Sequence, residues 1–280
     1  MDWLQALIAG IIQGVTEFLP VSSSGHLVIY STLFGEEGDA NLAFTVFLHL
    51  ATLLSVFIMF RKDISMLIRE FFAAMGDILK GKFSFKTPER RFLLMVVVGT
   101  IPAVVVGVLL KSLKFDDVLE NIFVVAVMLI VTSVLMFTVD RLSDKGRYTE
   151  KDAPLKSAWI VGFLQAFAIL PGLSRSGSTI FGGLLGGLKK EFAIRFAFIL
   201  SIPVIFGAGL VEGLHVVKEG SLEIDVVGWS LGFVAATISG IIAISVIKLL
   251  IKNNKFYIFG IYCLFASVFA FLVGFGVITV

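Results

Sequence analysis

The chain has 280 residues, 58% of them apolar and only 16% charged, with a mean hydropathy of +0.99. That composition excludes a soluble domain, and the absence of short alternating segments excludes a transmembrane β-barrel. The 23 basic and 21 acidic residues nearly cancel to a formal net charge of +2, so only the placement of charge along the chain is informative.

Met1-Asp2-Trp3 lacks a basic leader and no small-residue cleavage pattern follows, so no cleavable signal peptide is expected. Residues 3–30 are apolar but broken by Pro20 and a serine run. Residues 41–60 read as a span of the ~20 residues that cross a bilayer. Its one ionisable group is His49, taken as a core or interface histidine. Residues 61–91 read as a charged loop rich in Arg and Lys. Residues 92–110 and 121–139 read as spans, separated by a short loop with Lys114, Asp116, Asp117 and Glu120. A charged linker follows to Lys156, and residues 157–188 are apolar with a single charge, Arg175. Lys189, Lys190 and Arg195 precede a span at 196–211, and an acidic loop runs from Glu212 to Asp225. Spans at 226–247 and 256–280 flank Lys248, Lys252 and Lys255. Cys263 lies in the last span, where a small packing residue is expected and no intramolecular disulfide is possible.

Basic loops stay on the cytoplasmic side. Residues 157–188 as one span would put Lys189/Lys190 and Lys248/Lys252/Lys255 outside. As a re-entrant hairpin broken at Pro171-Gly172, the segment leaves every basic loop inside and both acidic loops outside. Residues 3–30 read as a second broken hairpin, with a single bent span and a cytoplasmic N-terminus as the alternative. Gly10-Ile-Ile-Gln13 matches Gly162-Phe-Leu-Gln165, and Ser22-Ser-Ser-Gly25 matches Ser174-Arg-Ser-Gly177 at the same offset. The expected fold is therefore an all-α polytopic membrane protein of six transmembrane helices plus two re-entrant hairpins, in an inverted repeat. It is a single membrane domain over 1–280, with halves of about 1–140 and 157–280 joined by a cytoplasmic linker at 141–156. Non-helical backbone at membrane depth must be buried or line a polar cavity, so a wet cavity is expected between the two breaks.

Ionisable groups at membrane depth are functional by default. Gln13 and Glu17 lie four apart, on one helical face. Ser22, Ser23 and Ser24 fall near a helix start, where free N–H groups and the dipole suit an anion or simply cap the helix. Ser174, Arg175, Ser176 and Thr179 add a guanidinium to clustered hydroxyls, a combination suited to phosphate. Gly25, Gly172 and Gly177 are expected to let backbone approach a ligand. Ser23 is a nucleophile candidate, and His26 and Glu17 are candidates for acid/base or metal work. Walker A and HExxH patterns are absent, which argues against an ATPase and a zinc protease. Basic residues sit in loops between spans, so no nucleic-acid partner is expected. Gly/Ala/Ser-rich faces suit internal packing or a homodimer equally.

With Gln13-Gly-Val-Thr-Glu17, Pro20-Val-Ser-Ser-Ser-Gly-His26 and Pro171-Gly-Leu-Ser-Arg-Ser-Gly-Ser-Thr179, the chain closely resembles the undecaprenyl-diphosphate phosphatase, or bacitracin-resistance, family along essentially its whole length. The resemblance implies removal of the terminal phosphate from undecaprenyl diphosphate, giving the monophosphate carrier lipid for cell-wall polymers. It implies a plasma-membrane location, a site open to the outer side and a divalent cation, Mg²⁺ or Ca²⁺. By position, Glu17 matches the catalytic glutamate and metal ligand, Ser23 the candidate nucleophilic serine, His26 the histidine and Arg175 the phosphate-binding arginine. Gln13 fills a slot that is glutamate in many members. The Ser-Ser-Gly-His and Ser-Arg pairs are also similar to type 2 phosphatidate phosphatases, but no histidine follows Arg175 until His215. Broken helices also mark secondary transporters, so a transporter or lipid flippase for a phosphorylated substrate is the alternative.

Overall fold

Where no water reaches the backbone, apolar runs must satisfy their own N–H and C=O groups, and helices do so. The computed structural model describes residues 3–34, 39–82, 87–113, 121–219 and 225–278, and those residues fold into eleven helices. They are α1 (Trp3–Phe18), α2 (Ser23–Phe34), α3 (Asp39–Met59), α4 (Arg61–Leu79), α5 (Pro88–Ser112), α6 (Ile122–Ser143), α7 (Leu155–Phe167), α8 (Arg175–Leu185), α9 (Lys190–Glu219), α10 (Val226–Lys252) and α11 (Tyr257–Gly274). Five are long and apolar enough to cross a membrane (α5, α6, α9, α10 and α11), and a sixth span follows if the bent pair α3–α4 counts as one. The chain is an integral, polytopic, all-helical membrane protein.

The sequence reading differs from the fold at residues 61–91. Arg61–Leu79 is a helix, turned by 90° from α3. Ile64, Leu67 and Ala74 face the protein from one side of α4, while Arg61, Lys62, Arg69, Phe71 and Phe72 are exposed. The density of charge hid this amphipathic period. Arg90 at the start of α5 fastens the helix down, donating to Glu70 at 2.5 Å and Asp77 at 2.9 Å. α9 continues past the expected span end to Glu219, so the acidic segment is partly helical. The short loop with Lys114, Asp116, Asp117 and Glu120 lies outside the described residues, as do Glu36 and Glu37.

Both expected breaks are present. α1 stops at Phe18 and α2 begins at Ser23; α7 stops at Phe167 and α8 begins at Arg175. The same hydrogen bonds recur after each break. The Gly25 N–H donates to Ser22 Oγ at 3.2 Å, and the Gly177 N–H donates to Ser174 Oγ at 3.1 Å. The next hydroxyl lies 3.4 Å away in Ser22/Ser24 and 3.2 Å away in Ser174/Ser176. Gly172, at φ +90°, makes the second turn, while Ser22 adopts φ +71° in the first without being glycine.

Packing partners are exchanged between the halves. α1 lies along α10, and α7 lies along α5. Each crossing is a glycine pair. A Cβ on Gly10 would sit 2.3 Å from the Gly232 carbonyl oxygen, and one on Gly162 would sit 2.4 Å from the Gly99 carbonyl oxygen. Small polar residues fasten further pairs of helices: Ser267 bonds the Ala126 carbonyl at 2.7 Å, Ser133 bonds Gly260 at 2.7 Å, and Ser55 bonds Thr237 at 2.8 Å. The segment between α6 and α7 is tied to the end of α8, with Arg147 and Tyr148 N–H groups both donating to the Gly187 carbonyl. Arg195 sits between Asp63 and Glu150 and over the rings of Phe92 and Phe192, an ion-pair and cation–π anchor rather than a free side chain reaching for water.

Candidate active site at the meeting of the two broken helices

The two breaks pack directly on each other. A Cβ on Gly25 would touch Gly172 Cα at 3.0 Å, and one on Gly177 would touch Pro20 Cβ at 3.2 Å. The Ser176 hydroxyl donates to the Leu19 carbonyl at 3.2 Å, across the junction. These contacts make the junction itself a packed seam. Gln13, Glu17, Ser22, Ser174, Ser176 and Thr179 are buried, and access comes through the half-buried Ser23, His26, His49 and Arg175.

Glu17 is the hub. Its position in the last turn of α1 points it past the break toward α8. Arg175 Nη2 donates to Glu17 Oε1 in an ion pair. The Ser23 hydroxyl donates to Oε2 at 2.6 Å, and the Gln13 amide donates to the same oxygen at 3.0 Å. The i, i+4 spacing of Gln13 and Glu17 makes the last contact. A carboxylate that is 4% exposed needs such partners, because an unpaired buried charge costs several kcal/mol (~3–5). Arg175 engages Glu17 through one nitrogen, so its guanidinium keeps further N–H donors.

His26 is held differently from expectation. A carbonyl only accepts, so the 2.7 Å contact with Ser22 O places a proton on Nδ1. In the neutral ring Nε2 then accepts from the Tyr262 hydroxyl at 2.6 Å, and the two rings stack 5.6 Å apart. Ser23 is thus hydrogen-bonded to Glu17, and His26 to Tyr262.

Several expected ligand groups instead hold the break together. The Thr179 hydroxyl donates to the Arg175 and Ser176 carbonyls. The Ser174 N–H donates to Thr132 Oγ1 at 3.0 Å, and Thr132 donates to the Gly172 carbonyl at 2.9 Å. Gly25, Gly172 and Gly177 allow helix ends to meet, because protein atoms fill the space a Cβ would take. Ser22 caps α2, and Ser24 is half-buried beside it.

Three residues at the site carried no signal in the local sequence. His49, in α3, read from the sequence as a core or interface histidine, brings Nε2 to 3.7 Å from Glu17 Oε2. Thr132 and Tyr262 lie on α6 and α11, whose apolar runs gave no hint that they abut the breaks. Cys263 is buried with its thiol 3.7 Å from the Pro20 carbonyl, in line with the packing role expected of it. Gly182, Gly183 and Gly186 pack on Val161, Ala193 and Ser157.

A buried acid, a hydroxyl bonded to it and an adjacent guanidinium can bind a phosphoryl group and move a proton to or from an attacking oxygen. Against known proteins, residues 6–269 match the family model described as "Bacitracin resistance protein BacA". The chain is 41% identical over 279 residues to an undecaprenyl-diphosphatase of Bacteroides fragilis, covering 98% of each protein. It is 40% identical over 269 residues to one of Methanosphaera stadtmanae, covering 94% of this chain and 95% of the relative. One of Methanobrevibacter smithii is 41% identical over 276 residues, covering 97% and 98%. With the acid, serine and arginine motifs lying inside the matched region, the chain belongs to the bacitracin resistance protein BacA family.

Proposed function

We propose that this protein is a membrane phosphatase that cleaves undecaprenyl, or another polyprenyl, diphosphate to the monophosphate carrier lipid and inorganic phosphate. The observation that carries the reading is the 2.6 Å hydrogen bond from Ser23 to Glu17, whose other oxygen is paired with Arg175.

The chemistry follows from that arrangement. Arg175 binds non-bridging oxygens of the terminal phosphate. Ser23 Oγ attacks the terminal phosphorus while its proton passes to Glu17 Oε2. The bond from phosphorus to the bridging oxygen breaks, and the lipid monophosphate leaves with that electron pair and takes the proton from Glu17. Water then attacks the phosphoserine and gives a proton to Glu17; the Oγ–P bond breaks, Glu17 returns that proton to Ser23 Oγ and phosphate is released. His26, bound to Ser22 and Tyr262, orients the start of α2 in this scheme.

A divalent cation, Mg²⁺ or Ca²⁺, is part of the proposal. Among the described residues there is no cluster of three His, Cys, Asp or Glu side chains, but the site does present spare oxygen. Gln13 Oε1 is buried without a hydrogen-bond partner among the described residues, on the same amide whose nitrogen donates to Glu17. Glu17 and Gln13 fit an ion that takes most of its ligands from the diphosphate and water. Such an ion would neutralise charge on the diphosphate.

The plasma membrane, with the site open to the outer face, is the proposed setting, in keeping with the charge of the loops. A homodimer through the small-residue faces is a further expectation. The halves are proposed to be inverted copies, a reading supported by the repeated serine–glycine bonds and the exchanged packing of α1 and α7. Transport without hydrolysis gives the Ser23–Glu17 hydrogen bond no task. The test is release of inorganic phosphate from undecaprenyl diphosphate by purified protein in detergent. Release with Mg²⁺ or Ca²⁺ that stops with chelator is expected; none with any cation would favour transport. Ser23→Ala is expected to abolish release, and activity persisting in that variant would replace Ser23 by a water activated at Glu17.

A further inference from the structure

His49 is anchored by its own helix. Its Nδ1 lies 2.8 Å from the Thr45 carbonyl oxygen, one turn earlier on α3. A carbonyl only accepts, so Nδ1 carries the proton and the neutral ring presents a bare lone pair on Nε2. That lone pair faces Glu17 Oε2 at 3.7 Å. The separation is too long for a direct hydrogen bond. It suits two atoms sharing one cation: ligands each about 2.1 Å from a metal lie at most about 4.2 Å apart. Gln13, whose Oε1 is buried without a partner among the described residues, reaches the same carboxylate oxygen from α1. His49 is half-buried, so the site opens to an incoming ion on the side of α3.

We infer that His49 is a metal ligand, completing with Glu17 a two-residue cation site, and that its nitrogen biases that site toward first-row transition divalent ions such as Mn²⁺ over Ca²⁺. Imidazole nitrogen adds affinity for transition ions and little for Ca²⁺, which prefers oxygen. Gln13 offers an amide oxygen rather than a carboxylate, which leaves fewer hard oxygens and strengthens the bias. A carbonyl partner on Nδ1 is also what ligating histidines commonly have, since it fixes the ring and raises the basicity of Nε2. The inference rests on the phosphatase reading only for what the ion does, not for where it binds.

The experiment is Mn²⁺ binding to purified protein in detergent without substrate, followed by electron paramagnetic resonance, with electron spin echo modulation to detect directly bound ¹⁴N. The native chain is expected to bind Mn²⁺ with a nitrogen coupling. His49→Gln and His49→Ala are expected to lose that coupling and to bind Mn²⁺ about tenfold more weakly or worse. In competition, the native preference for Mn²⁺ over Ca²⁺ is expected to shrink in His49→Gln, which offers an oxygen of similar reach. Thermal melts of each variant identify any that fails to fold, and the glutamine variant keeps the side-chain volume. Native protein that binds no Mn²⁺, or a folded His49 variant that keeps the coupling or native Mn²⁺ affinity, overturns the inference. Phosphate release assayed on the same preparations separates the two claims. Hydrolysis with unaltered Mn²⁺ binding in the variants sinks only the role of His49. Absence of hydrolysis with every cation sinks the phosphatase reading and leaves the binding result standing.

Discussion

Glu17 carries four neighbours on two oxygens, and each neighbour limits what the others can do. Arg175 holds Oε1, so Oε2 is the oxygen left to take a proton from Ser23. A 4%-exposed carboxylate that loses its cation has no water to turn to. Arg175→Met is therefore expected to cost stability, by about 3–5 kcal/mol if Glu17 stays ionised. Glu17→Gln/Arg175→Met removes both charges and should recover most of that loss without recovering activity. Thermal unfolding in detergent checks this; a double variant no more stable than Arg175→Met would contradict the pairing. Glu17 and Arg175 were legible in the sequence because a lone charge in an apolar run stands out. His49 was not, since a histidine four residues after a threonine looks the same in a core as at a site. Only the fold brings α3 against the end of α1. Ser174, Ser176 and Thr179 were legible as a cluster, but their partners are carbonyls and Thr132, which a local motif cannot reveal.

At the scale of elements, the breaks stay in place because the helices on either side cross at glycine. Gly10→Ala and Gly162→Ala each drive a Cβ into a facing carbonyl and are expected to cost about 1–3 kcal/mol, displacing the junction as well. Gly76→Ala in α4 meets nothing within 4 Å and is expected to gain about 0.5–1 kcal/mol from helix propensity. The contrast, read as melting temperatures of the three variants, separates crossing glycines from an ordinary helical one. Equal shifts in all three would remove the argument. The hairpins could be read from the chain because Pro20, Pro171 and the serine runs interrupt apolar segments. α4 could not, because its apolar residues are spaced for a helix that is half-exposed and dense in charge. Length and hydropathy identify a span and say nothing of a helix lying across its end.

For the whole molecule, the exchange of α1 onto α10 and α7 onto α5 makes the site a product of both halves, with the acid and serine from one and the guanidinium from the other. The all-helical membrane character followed from composition, and the two breaks from short motifs that recur at one sequence offset. The orientation proposed from loop charge is open to test. In a Cys263→Ala background, Asp225→Cys is expected to react with an impermeant maleimide on intact cells. Asp152→Cys, in the linker, is expected to react only after permeabilisation. Labelling of both from the same side would reverse that account. The account as a whole turns on Glu17, and Glu17→Gln keeps its shape while removing its charge and its capacity as a base. Phosphate release from undecaprenyl diphosphate by folded, purified Glu17→Gln is predicted to fall by about a hundredfold or more relative to the native chain; a rate within about threefold of native would contradict a site built around this carboxylate.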